Sequence, residues 1–168
     1  AQFKVEFECE FLGSVDTLIA QSKLRSLVYE NPQTTSAGLD VYQPPIENHD
    51  YVCTVDVARG VGEDYSAFII VDISEFPHKV VAKYRNNDIK PMLGQGFSGK
   101  KTQLGVKMSK TVKKVGSLNL KTMIEEDKLL FNDYEIISEL TTFISKHNSF
   151  EAEEGCNDDL AMCLVIYA

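Results

Sequence analysis

The sequence has no apolar run near the length of a membrane span, and its start shows no secretory signal pattern. A membrane-spanning or secreted protein is therefore not expected. Its four cysteines, Cys9, Cys53, Cys156 and Cys163, form no C-x-x-C pair. Cys53 falls in a strand pattern and Cys163 in an apolar helix pattern, so buried free thiols in a reducing compartment are expected. His49, His78 and His147 lack zinc-ligand spacing, and no G-x-S-x-G elbow is present. Nor is there an internal repeat. "GQGFSGKK", residues 94 to 101, only approaches a P-loop. Gly94, Gly99 and Lys100 fit, but Lys101 stands where a hydroxyl should bind Mg²⁺, and Pro91 interrupts the preceding strand.

Net positive charge is absent too. The 17 basic and 25 acidic residues give a formal charge of -8, which argues against a surface that is basic all round. The distribution qualifies this. "KKTQLGVKMSKTVKK", residues 100 to 114, holds six lysines and no acid. Any contact with nucleic acid must be local. A mobile glycine-rich loop followed by lysines suits phosphate contact, and a solvated helix face would look the same.

What remains is an ordinary globular composition in 168 residues, enough for a real core. "FKVEFECEFLG" alternates as a half-exposed strand, and "SVDTLIAQSKLRSLVY" suggests a helix. "ENPQTTSAGLDVYQPPIENHD" reads as loop or linker. "YVCTVDVA", "SAFIIVDIS" and "HKVVAKYRNN" read as three strands of an antiparallel meander. A helix is expected from about Leu104 through Met108, Val112 and Val115 to Ile124. "LLFNDYEIISELTTFISKH" reads as a very short strand, a turn and a helix, capped by Asn132 or Asp133. "NDD" then opens a last apolar helix. Strands followed by helices indicate an α/β or α+β layer fold. Residues 1–48 are expected to pack on a main domain spanning 49–168.

Three acidic features carry possible chemistry. Asp56 interrupts the first meander strand, sharing a face with Val52 and Thr54. It is either a strand-end device or a ligand, because a carboxylate there is costly unless paired or bound to a cation. Asp64 ends the connection to the next strand, so a hairpin would bring it toward Asp56. An exposed turn acid is the plain reading of it. Gly60 and Gly62 give the connection backbone freedom, and Arg59 would meet a phosphate or pair with Glu63. Asp158 and Asp159 sit at a helix start, where acids cap and compensate the dipole. Carboxylates from a strand, a turn and a helix would also suit two hard cations, which sit about 3.5–4 Å apart in sites for in-line displacement.

"TVDVARGVGEDYSAFIIVD", "GFSGKKTQLGVKMSK" and "EEGCNDDLAMCLVIYA" closely resemble the C-terminal nuclease domain of the large terminase subunit of T4-like bacteriophages, and the likeness runs over nearly the whole chain. The resemblance implies a ribonuclease H-like α/β fold with a mixed central sheet flanked by helices. It implies Mg²⁺- or Mn²⁺-dependent cutting of double-stranded DNA, with two ions when substrate is bound, to start and end headful packaging. Asp56 matches the first catalytic metal ligand, and Asp64 an auxiliary acid. Asp158, with Asp159 next, matches the last motif. Arg59, Lys100, Lys101, Lys107 and Lys110 would hold phosphates. The implied partners are the portal, the small terminase subunit and an N-terminal ATPase domain. The implied setting is the host cytoplasm, on the assembling procapsid. The isolated domain is expected to be monomeric and unable to translocate DNA by itself.

One departure stands out. The family has a strand-helix-strand unit before its glycine-rich lysine loop, and one strand there supplies a catalytic glutamate. Here "NNDIKPML" runs straight into "GQGFSGKK", and neither Glu75 nor Glu125 matches that motif. A stretch omitted between Leu93 and Gly94 is expected. If it is truly deleted, a catalytically silent DNA- or portal-docking module is the alternative.

Overall fold

The computed structural model of the chain describes residues 16–57, 65–86, 108–147 and 149–168. In chain order these form helix α1 (Gln21–Ser26), strands β1 (Thr34–Ser36), β2 (Leu39–Val41), β3 (Tyr51–Asp56), β4 (Ser66–Asp72) and β5 (His78–Asn86), then helix α2 (Lys110–Glu125), strand β6 (Leu129–Leu130), helix α3 (Tyr134–Thr142), strands β7 (Phe143–Lys146) and β8 (Ser149–Ala152), and helix α4 (Asp159–Tyr167).

The expected meander is the centre of the molecule. Its β-branched and aromatic residues suit a pleated, half-buried surface. The main sheet runs β1-β2-β5-β4-β3 with every neighbour antiparallel, and β6 pairs in parallel with the start of β5. The sheet is therefore mixed, as expected. Register decides which side chains meet. Asp56 lies opposite Ala67, and Ala67 opposite Arg85. Residues directly opposite share a face, so Asp56, Ala67 and Arg85 form one row. Thr54, Ile69 and Lys83 form the next row on that face.

Helix α4 covers this face. Its residues from Leu160 to Val165 are all buried, because the sheet lies on one side and α2 and α3 on the other. Thr54 Oγ1 donates to the Cys163 carbonyl at 2.9 Å, pinning α4 to β3. Ile69, Val71, Leu120, Ile136, Leu140, Leu160 and Leu164 fill the core between the layers. Helix α2 comes close to α4 at Gly116, where a Cβ would stand 2.5 Å from the Val165 carbonyl oxygen.

Several expected elements differ. The helix expected over residues 14–29 is only the short α1. The expected linker contains β1 and β2, which add two strands to the sheet because Leu39 pairs with Tyr84. Gly38 turns this hairpin at φ +87°, a conformation suited to glycine. Helix α2 begins at Lys110, capped by Ser109, and Val112 and Val115 face outward; the buried positions are Ser117, Leu120 and Ile124. The helix expected to reach residue 147 stops at Thr142, and Phe143–Lys146 pair with β8 instead. Cys53 and Cys156 are exposed, against the expectation of burial; Cys163 is buried as expected. Cys53 is exposed because it points away from α4. The strand expected over residues 3–11 lies outside the described residues.

Candidate functional site

The site grows from the row Asp56–Ala67–Arg85. Ala67 is small, so the space above it is filled from α4. Cys163 Sγ donates to the Ala67 carbonyl at 3.4 Å. The thiol is pushed up to about 12, chiefly by burial, with the charges of Asp56, Glu139 and Asp159 adding to it. A buried thiol thus lies within the fields of three carboxylates, one each from β3, α3 and α4.

Arg85 is the cation of this cluster. Its side chain is largely buried. Its Nη1 lies 3.6 Å from Glu139 Oε1 and 3.7 Å from Glu135 Oε1, and its Nη2 lies 3.7 Å from Asp159 Oδ2. These are ion pairs beyond hydrogen-bond length. The guanidinium also stands 4.2 Å above the Tyr65 ring, which favours a cation at that spot.

Glu139 is 5% exposed. Its Oε2 accepts from the Leu160 and Ala161 amides at 2.8 and 2.9 Å. These amides belong to the first turn of α4, where backbone donors lack partners within the helix. Burial pushes the Glu139 carboxyl up to about 7, although the two amides and Arg85 pull the other way. Asp158, at the N-cap position, makes no capping bond of its own. Its Oδ2 accepts from Lys113 Nζ at 3.2 Å instead.

The predicted residues thus fall into four groups. Asp56 ends β3 opposite Ala67, and Asp159 faces Arg85 from the first turn of α4. Asp158 faces Lys113 of α2. Lys110 opens α2 and is exposed. Asp64, Arg59, Lys100, Lys101 and Lys107 lie outside the described residues, as does the Leu93–Gly94 junction. Sequence reasoning missed Arg85 and Glu139. Both left a trace: Arg85 sits two residues after Lys83 in a strand pattern, so the two share one face of β5, and Glu139 falls between Ile136 and Leu140 on the buried stripe of α3.

Carboxylate oxygens are the right donors for a hard divalent cation. Among the described residues, however, no three potential ligands stand close enough to hold one ion. The donor type fits and the donor number falls short.

No family model matches the chain. Solved structures do resemble it. The large terminase nuclease of thermophilic phage G20c with bound magnesium superposes with a TM-score of 0.69 at 20% identity, over 91% of this chain and 96% of that one. The same nuclease with bound cobalt gives 0.68. The large terminase nuclease domain of Thermus phage P74-26 gives 0.63 at 21% identity, over 86% of this chain and 91% of that one. These likenesses establish the fold: the chain is ribonuclease H-like, with a mixed sheet flanked by helices.

Proposed function

We propose that the chain is the nuclease domain of a phage large terminase, cutting double-stranded DNA with divalent metal. The observation that carries the reading is that α4, the helix opened by Asp158 and Asp159, packs on β3, the strand that ends at Asp56, in a fold that is that of solved terminase nucleases. Asp56 and Asp158 would hold the metal, with Asp159 next to it on α4 and Asp64 as the auxiliary acid. Adjacent residues on a helix point about 100° apart. That spacing favours one of the pair, and the match to the last motif of the family favours Asp158, with Asp159 next. Mg²⁺ or Mn²⁺, two ions with substrate, would supply Lewis acidity toward the phosphodiester. Arg59, Lys100, Lys101, Lys107 and Lys110 would grip the DNA backbone.

The finer reading is headful cutting by a T4-like enzyme, beside the portal, the small terminase subunit and an ATPase domain, on a procapsid in the host cytoplasm. The closeness of the three quoted strings to that family supports it. A second carboxylate strand, omitted between Leu93 and Gly94, would complete the donor set. The outer edge of β3 suits such a strand. It has no partner strand among the described residues, and Val55 and Val57 beside it are 49% and 52% exposed.

The shortage of donors favours one competing reading, a DNA- or portal-docking module without cleavage. Incubation of supercoiled plasmid with the protein across a Mn²⁺ titration separates the two. Metal-dependent nicking is expected, and Asp56→Asn should reduce it more than about 100-fold, the upper end of what loss of a supporting metal-site residue costs. DNA retention without nicking at any Mn²⁺ concentration would favour the docking module. Undiminished cutting by the variant would remove Asp56 from the site.

A further inference from the structure

Helix α4 delivers Asp158 and Asp159, yet it does not cap itself. The Asp158 side chain at its N-cap position makes no bond to the first-turn amides and is held by Lys113 instead. The cap comes from another element. Glu139, on the last turns of α3, places one carboxylate oxygen against the Leu160 and Ala161 amides at 2.8 and 2.9 Å. Its other oxygen lies 3.6 Å from Arg85 Nη1 and accepts no hydrogen bond from the described residues. The same guanidinium lies 3.7 Å from Asp159 Oδ2. One buried carboxylate therefore fixes the start of α4 in two ways, through its backbone and through the cation that faces its first acid.

We infer that Glu139 is a positioning residue, a cap supplied by α3 that sets where Asp158 and Asp159 stand relative to the sheet that carries Asp56. The claim rests on the metallonuclease reading for its consequence, but its geometry is independent of that reading. An ordinary cap stabilises its own helix wherever the helix points. Here the cap is anchored in α3, so it also fixes the helix start against the sheet. Two charge-assisted bonds to one oxygen constrain both the height and the rotation of the first turn. Rotation matters, because a helix position turns by about 100° per residue. A rotation of a few tens of degrees would therefore swing both Asp158 and Asp159 away from their places.

The test uses the whole chain at pH 8. Amide exchange at Leu160 and Ala161 reports the cap, and Mn²⁺ affinity, read from free-Mn²⁺ electron paramagnetic resonance, reports the carboxylates. Glu139→Ala should raise exchange at those two amides and weaken Mn²⁺ binding, each by about tenfold or more. Glu139→Gln keeps an oxygen for both amides and should restore both readouts to within about threefold. Val165→Ala trims the same helix without touching its start. It should lower thermal stability while leaving Mn²⁺ affinity unchanged.

Unchanged amide exchange in Glu139→Ala would overturn the proposal. So would an equal loss of Mn²⁺ affinity in Val165→Ala, which would reduce Glu139 to general stability. A wild-type chain that binds no Mn²⁺ would instead defeat the metallonuclease reading. Exchange at Leu160 and Ala161, with rescue by Glu139→Gln, would then still decide the cap.

Discussion

Glu139 shows how one residue can oppose the fold that holds it. Burial favours its neutral form, while the amides and Arg85 favour the charged form, and burial wins. Its carboxyl moves from 4.5 to about 7. Between those values the folded chain holds a proton that the unfolded chain has released. The stability that Glu139 contributes is therefore fully present below about pH 4.5 and is lost as pH rises through 7. At about 1.4 kcal/mol per pH unit the loss is roughly 3 kcal/mol. Urea unfolding of the metal-free protein from pH 4.5 to 8 should show this fall, and Glu139→Gln should remove it. A variant with the same slope as the wild type would mean that another group titrates. Asp72 works in the opposite direction. Its hydrogen bond with His49 holds its carboxyl below the usual range, so its contribution is present at neutral pH and lost in acid. Neither residue could be judged from sequence, since a carboxylate's environment is built from other elements.

At the scale of elements, α2 and α4 meet through Gly116. In an isolated helix, glycine to alanine gains about 1 kcal/mol. Here the added Cβ would stand 2.5 Å from the Val165 carbonyl oxygen and 3.0 Å from its Cγ1. Backbone cannot yield as a side chain can, so the sign reverses. Gly116→Ala should destabilise the protein by about 1–3 kcal/mol, measured by thermal or denaturant unfolding. A stabilised variant would show that the two helices can separate without cost. The same interface explains why Val112 and Val115 misled the reading of α2. Spacing reveals that a helix has an apolar stripe, but not which of two stripes a neighbour covers. Residues 143–146 misled for a related reason. They leave α3 because Phe143–Lys146 find partners in Ser149–Ala152, beyond any local propensity.

At the scale of the whole molecule, the open question is whether the chain carries a strand between Leu93 and Gly94. Intact mass and peptide mapping across that junction answer it. A mass well above 18.8 kDa with extra peptides there is the expected result. It would supply a partner for the outer edge of β3 and a further carboxylate for the site. A mass of 18.8 kDa with a peptide spanning the junction would remove the catalytic claim. No helix among the described residues is long and apolar enough to cross a membrane.

The sequence by itself determined the meander, the short strand before α3, a cap at Asn132 or Asp133, of which the structure uses Asp133, and the start of α4. Each is written in local signals: β-branched runs, a capping residue before an apolar stripe, adjacent acids before a buried helix. It also marked Asp56 as out of place in its strand. Tertiary structure decided the rest. Strand register put Arg85 in line with Asp56, although 28 residues separate them in the chain. Packing of α3 on α4 made Glu139 a cap for a helix that begins 20 residues later. The same packing drew Asp159 toward the row and left Asp158 with Lys113. Such pairings depend on distances across the core, and no periodicity along the chain encodes them.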